Sequence, residues 1–421
     1  MTGILAYSVI GFAVLVAFYM AWNVGANDVA NAMGTSVGSG ALTLRRAVIV
    51  AGIFEFAGAF LLGGSVSDTI RKGIVNPQLF ESNPNLLIYG MLAALLAAAV
   101  WLNIATIAGL PVSTTHSIVG AVTGFGLIHA GADAIDWVKM GQIVLSWFVS
   151  PVGGGVLGFL MFVSIRRTIL DKENPIAAAR RWMPFYLFIV FSTLMFSMFK
   201  KGAKNFFKGS EMAAPSTTSA FMISLAVGVA CAVIGTYIIR HYIKRRDSEE
   251  PYQFVERLFT GLQIITACYV ALAHGSNDVA NAVGPLAAIL HIVETGTVDM
   301  KVVMPAWVLA LGGVGIVLGL GTYGYRVMAT IGTKIVEMSP TRGFAAEFGA
   351  ATTVTVCSLR GLPVSTTHTL VGAVVGVGMA RGMQALNYKV LYGIAASWLI
   401  TVPVSAVLSM VFFSILKLIL P

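Results

Sequence analysis

The first charged side chain in this sequence is Asp28. Everything before it, "MTGILAYSVIGFAVLVAFYMAWNVGAN", is apolar or neutral, a run longer than the ~20 residues a helix needs to cross a bilayer. Comparable runs recur to the end of the chain. Only 11% of the residues are charged and 57% are hydrophobic, whereas a soluble domain carries about 25% charged residues. Inside a bilayer such segments must satisfy their own backbone groups, and the alternating pattern of a membrane barrel is absent, so helices are the expected spanning structure. The expected class is an all-α polytopic membrane protein with about twelve transmembrane segments. The 45 glycines agree, because small residues let membrane helices approach closely. The first segment lacks a basic leader and a small-residue cleavage site, and is expected to be a retained span.

The net charge of +9 sits in the connecting loops and is read as topology information. No basic face points to nucleic acid. Arg166, Arg167, Lys172, Arg180 and Arg181 follow the fifth segment. Arg240, Lys244, Arg245, Arg246 and Arg257 follow the seventh. The positive-inside rule makes that face cytoplasmic and predicts both termini outside, although Lys200, Lys201, Lys204 and Lys208 cluster on the other side. The cysteines, Cys231, Cys268 and Cys357, are odd in number and lie in apolar segments, which implies no disulfide framework.

Two polar motifs interrupt the apolar background, and each is written twice. "GANDVANAMG" at 25–34 recurs as "GSNDVANAVG" at 275–284, and "GLPVSTTHSIVGAVTGFG" at 109–126 recurs as "GLPVSTTHTLVGAVVGVG" at 361–378. The offset stays between 250 and 252, and the Ser146-Trp147 pair returns as Ser397-Trp398. The chain therefore divides into a first repeat, 1–165, a connector with two spans, 166–253, and a second repeat, 254–421. An odd number of crossings separates the copies, so the repeats are expected to be inverted, an arrangement typical of secondary transporters. Each Gly-Leu-Pro joins two apolar segments tightly, as a turn between spans or as the tip of a re-entrant hairpin with broken half-helices.

An Asp at membrane depth is costly and normally marks an ion pathway. In a helix, Asn27 and Asn31 share a face with Asp28 beside them, as do Asn277, Asn281 and Asp278. Carboxylate and amide oxygens suit a hard cation. Asn23 extends the first stripe by one turn, but its counterpart is Ala273. Interhelical hydrogen bonding is the plainer use of such residues, and duplication of the whole Asn-Asp-x-x-Asn unit weighs against it.

In Pro-Val-Ser-Thr-Thr-His, the proline suits the first turn of a helix, where its missing N–H is not needed. Ser113, Thr114 and Thr115, and their copies Ser365, Thr366 and Thr367, then open new helices whose free N–H groups, dipole and hydroxyls favour an anion. Capping plus a kink would explain one copy. Two copies, each paired with an Asn-Asp unit, point to a tetrahedral oxyanion held between them. His116 and His368 close these runs and are expected to support the ligands from behind. Neither core motif carries Lys or Arg, and an anion beside Asp28 and Asp278 cannot enter a low-dielectric site uncompensated. Co-bound cations must supply the positive charge. Glu55 and Glu347 are two further acids in apolar stretches, either cation ligands or gates, or partners of loop arginines.

These motifs resemble the inorganic phosphate transporter family, and the resemblance covers essentially the whole chain. It implies symport of inorganic phosphate with Na+ or H+, with some prokaryotic members carrying metal–phosphate complexes. It also implies that acids resembling Glu55 and Glu347 are required for transport. Larger members carry a long hydrophilic loop between the repeats, and here the connector is short. The expectation is a Na+-coupled phosphate symporter working by alternating access, with no resident cofactor and no enzymatic activity. Phosphate is assigned to Asn27, Ser113, Thr114, Thr115, Asn277, Ser365, Thr366 and Thr367. Na+ is assigned to Asn23, Asp28, Asn31, Glu55, Asp278 and Asn281, with His116, His368 and Glu347 in support. Sodium is chosen over the proton because a proton needs no cluster of amide and hydroxyl oxygens. A proton-coupled phosphate or metal–phosphate carrier and a sulfate permease of the same fold are the alternatives. The expected surroundings are the lipids of a cell membrane, and Gly-rich apolar faces leave room for a homodimer.

Overall fold

The computed structural model describes residues 3–63, 74–206, 215–298, 304–360 and 364–420. Apart from one isolated bridge, Val75 to Ile135, the regular structure among these residues is helical. The first sequence copy forms α1 (Ile4–Gly38), α2 (Leu44–Leu62), α3 (Pro84–Ile107), α4 (Thr114–Ala130) and α5 (Trp137–Ile165). Two helices follow, α6 (Pro175–Phe206) and α7 (Thr217–His241). The second copy forms α8 (Pro251–Asp278), α9 (Ala280–Thr295), α10 (Ala306–Thr322), α11 (Tyr325–Ala329), α12 (Pro340–Leu359), α13 (Thr366–Arg381) and α14 (Tyr388–Ile419).

Helix starts follow local chemistry. Thr43, Ser113, Asp136, Ser216, Ser365 and Asn387 each accept a backbone N–H in the first turn of the helix they precede. Glu250 and Gln253 close a reciprocal capping box on α8. Seven helices among the described residues are long and apolar enough to cross a membrane, and an eighth is counted if the pair bent by 59° after Thr322 is one span. The chain is a multi-pass membrane protein. The short elements are the informative ones. At 17 and 16 residues, α4 and α13 fall below the ~20 needed for a full crossing.

Packing pairs each element with the counterpart of its neighbour. α1 lies on α10 as α8 lies on α2, and α5 lies on α13 as α14 lies on α4. Glycine makes these contacts close. A Cβ on Gly25 would strike the Ile316 backbone, and one on its copy Gly275 would strike the Glu55 backbone. Gly120 meets Val402 in the way Gly372 meets Pro151. Without a hydrophobic driving force between helices in lipid, this backbone contact and its dispersion energy are the main sources of adhesion. The candidate site residues named from the sequence are all buried.

Candidate functional site

α4 and α13 begin at the hydroxyl runs. Ser113 Oγ accepts the His116 N–H and Ser365 Oγ accepts the His368 N–H, both at 3.1 Å. The serines are therefore caps. Pro111 was expected in the first helical turn and instead lies two residues before the cap, because the extended backbone of Ser113 (φ −89°, ψ 119°) delays the helix to Thr114. The second Gly-Leu-Pro, 361–363, lies outside the described residues.

Freed from capping, the threonines face the aspartates. Thr114 Oγ1 donates to Asp28 Oδ2 at 2.8 Å, and Thr366 Oγ1 donates to Asp278 Oδ2 at 2.9 Å. The next threonine reaches across to the other copy: Thr115 to Asp278 Oδ1 and Thr367 to Asp28 Oδ1, each at 3.4 Å. The asparagines cross as well. Asn31 Nδ2 donates to Thr367 Oγ1 at 2.8 Å, and Asn281 Nδ2 donates to Thr114 Oγ1 at 3.2 Å. Two carboxylates, four threonine hydroxyls and two amides thus form one buried cluster, drawn equally from both copies. Asn31 Oδ1 is buried in it without a hydrogen-bond partner.

Asn27 and Asn277 sit one position earlier and hold backbone. Asn27 Oδ1 accepts the Val112 N–H at 3.2 Å, while its Nδ2 donates to Leu110 O and to Thr106 Oγ1. Asn277 accepts the Ser358 hydroxyl and donates to Val364 O. Asn27 thereby anchors the turn that leads into α4. Asn23 is not brought into the cluster; its amide pairs with Asn103 and the Tyr19 carbonyl. Glu347 forms a separate set, accepting Thr35 and Ser36 hydroxyls at 2.7 Å, Thr266 at 2.6 Å and Gln263 Nε2 at 3.2 Å. Neither Glu55 nor Glu347 pairs with a loop arginine among the described residues.

His274 is a member of the site that the motif reading missed. Its Nε2 lies 3.2 Å from Asp278 Oδ2 and 3.6 Å from Asp28 Oδ2, and its Nδ1 lies 3.3 Å from Glu55 Oε1. It thereby joins Glu55 to the central pair. The signal was present: His274 precedes Asp278 by four residues, one helical turn. Comparison of the copies hid it, since its counterpart is Val24. Behind the threonines, His116 and His368 stand 4.2 Å apart between Trp147, 3.8 Å from His116, and Trp398, 3.6 Å from His368. Trp398 stacks on His368, the two imidazoles meet edge to face, and the four rings form one cluster spanning both copies.

One imidazole carries at most one positive charge against the three buried carboxyl groups it touches. The cluster's hydroxyls and amides supply hard oxygens, and the starts of α4 and α13 bring helix-dipole potential that tolerates an anion. A model of the phosphate transporter family matches residues 24–409. A protein of Pyrococcus abyssi named "Putative phosphate permease" is 48% identical over 400 residues, 94% of this chain and 95% of that one. The Arabidopsis thaliana inorganic phosphate transporter 2-1, chloroplastic, is 42% identical over 98% of this chain and 72% of its own length. A solved structure titled the sodium-dependent phosphate transporter superposes with a TM-score of 0.90 at 42% identity, covering 98% of this chain and all of that one. The family and this neighbour are transporters and not enzymes, and the chain belongs to the phosphate transporter family.

Proposed function

We propose that this protein is a Na+-coupled symporter of inorganic phosphate that works by alternating access. The observation that carries this reading is the buried pairing of Asp28 and Asp278 with threonines from both copies. Na+ is held by Asp28, Asp278, Asn31 and Asn281, with Glu55 linked to them through His274. Phosphate takes the donors that now satisfy the aspartates: the Thr114, Thr115, Thr366 and Thr367 hydroxyls and the first N–H groups of α4 and α13. Na+ binding draws the carboxylates away from those hydroxyls and offsets the phosphate charge, so each ion lowers the cost of binding the other. The sodium-dependent phosphate transporter of the same fold supports the choice of ions.

In this reading 1–165 and 254–421 are inverted repeats about an axis through the cluster, 166–253 connects them, and both termini lie outside the cell membrane. The exchanged packing of α1, α2, α8 and α10 is what such a relation produces. The cavity beside Asn31, His274 and Thr366 is only about 10 Å³, room for about one water molecule and too small for a tetrahedral oxyanion. Loading therefore requires the repeats to part on one side, which is the gating step of alternating access.

A second reading has one observation in its favour. Asp28, His274 and Asp278 each offer a ligand atom within 4.8 Å of the others, and a mixed nitrogen and oxygen set suits a divalent transition ion better than Na+. Uptake of a metal–phosphate complex would use the same cluster. Purified protein in liposomes separates the readings. Labelled phosphate uptake should follow an inward Na+ gradient. Uptake driven by a pH gradient alone, or by Mn2+ without Na+, would overturn the sodium assignment, and uptake of sulfate in place of phosphate would overturn the substrate.

A further inference from the structure

The outer face of α5, α13 and α14 carries a groove of about 690 Å³ with an almost wholly apolar lining. Its direction is set by the helices. α5 and α13 run side by side, with Gly372 against Pro151 and Gly376 against Gly155, and Arg166 Nη1 donates to the Ala380 carbonyl at 2.7 Å where both helices end. α14 starts at that same end, after the short turn that follows Arg381. Val152, Val156 and Leu160 line one wall of the groove, Met379 and Leu391 lie near its mouth, and Trp398 lies at its inner end. From Val152 to Leu160 the wall is roughly 12 Å long at 1.5 Å per residue.

The mouth is basic. Arg166 and Arg167 follow the end of α5, Arg381 ends α13 and Lys389 lies in the first turn of α14, with Tyr388 and Tyr392 exposed on that same helix. Asp171 lies 3.6 Å from Arg166 and Glu337 lies 3.5 Å from Arg381. Among the described residues, Arg167 and Lys389 have no acidic partner. Arg167 follows the end of α5, in the π-helical turn 166–170, and is exposed. An apolar trough in a membrane-facing surface, closed at one end by cations and interfacial tyrosines, has the charge and polarity of an anionic phospholipid in reverse.

We propose that this groove binds one acyl chain of an anionic phospholipid, with its phosphate headgroup on Arg167, Arg381 and Lys389. The chain end then touches Trp398, whose ring stacks on His368 directly behind Thr367. Lipid occupancy would thereby bear on the ring cluster behind the proposed transport site, from the lipid side of the protein.

Tryptophan quenching by brominated lipids tests this in the full-length protein. Wild type and Trp398→Phe are reconstituted in phosphatidylcholine vesicles containing brominated phosphatidylglycerol or brominated phosphatidylcholine. The Trp398 contribution should be quenched preferentially by the phosphatidylglycerol. Arg167→Glu, an exposed change that leaves the core intact, should weaken that preference by about fivefold or more, since one cation near an anionic surface is worth about a fivefold change in binding. Filling the trough with Ala395→Trp should abolish the lipid's protection of Val156→Cys from an apolar maleimide. Equal quenching by both lipids would reduce the groove to ordinary annular contact and overturn the proposal. So would cross-linking of Val156→Cys between two protein copies in vesicles, which would show a second copy occupying the groove.

Discussion

Thr367 of the second copy hydrogen-bonds both to Asp28 and to the Val112 carbonyl of the first, at 3.4 and 3.1 Å. Thr115 makes the matching pair of bonds to Asp278 and the Val364 carbonyl, each at 3.4 Å. Each aspartate is thus served by one threonine of its own copy and one of the other. A change in charge at either aspartate is felt at once by the starts of both α4 and α13.

Asp28→Asn keeps the shape and removes the charge. It should abolish Na+-dependent phosphate uptake in liposomes. Thr114→Ala removes one hydroxyl from the carboxylate, a loss worth about 1.5–3 kcal/mol for a hydrogen bond to a charged group, and should lower uptake roughly 10–100-fold while leaving it Na+-dependent. Near-normal uptake in Asp28→Asn would refute the charge-balance argument.

His274→Ala leaves Glu55 and both aspartates buried without their imidazole. Removing one partner of such a group costs about 3–5 kcal/mol. The variant should melt well below wild type in Na+-free buffer and should recover more on Na+ addition than wild type does. A melting point unchanged in the absence of Na+ would show that His274 is not part of the centre.

Asn31 and Thr367 form a contact between the copies that a double-mutant cycle can isolate. Asn31→Ala, Thr367→Val and the double variant should give a coupling of about 0.6 kcal/mol, the average for membrane interhelical hydrogen bonds, and at most about 1.7 kcal/mol. Zero coupling in thermal stability would mean the contact is incidental.

Gly319 sits on the Trp22 backbone, as Gly25 sits on that of Ile316. Gly319→Ala has no space for its methyl group and should destabilise by about 1–3 kcal/mol through forced separation of α1 and α10. Gly261→Ala, where nothing lies within 4 Å, is the matched control and should melt like wild type.

Much of this site could be read from residue types alone, because Asp, Asn and runs of hydroxyls are costly in an apolar segment and stand out wherever they occur. The duplication associated each hydroxyl run with the Asn-Asp unit of its own copy, and the structure sets Thr114 on Asp28 and Thr366 on Asp278. Cross-copy partners were less accessible. Which threonine reaches its own aspartate and which reaches across depends on where α4 begins, and the Ser113 cap shifts that start past the position the proline suggested. His274 escaped because its counterpart is Val24, and the reading gave weight to what both copies share. Asn23 was placed by helical spacing with the ligands, and the structure instead pairs it with Asn103, a residue on another helix that periodicity could not bring into view. Glu347 likewise took its surroundings, Thr35, Ser36, Gln263 and Thr266, from two other helices. Most of the missed contacts follow from packing between distant segments, which a pattern along the chain does not encode.

Reciprocal binding tests the central claim most directly. Phosphate is titrated into the purified protein by calorimetry at rising Na+, and Na+ is titrated at rising phosphate. Thermodynamic linkage requires one coupling factor in both directions. The account predicts that Na+ tightens phosphate, that phosphate tightens Na+ by the same factor, and that both effects vanish in Asp28→Asn. A phosphate affinity independent of Na+ would contradict it.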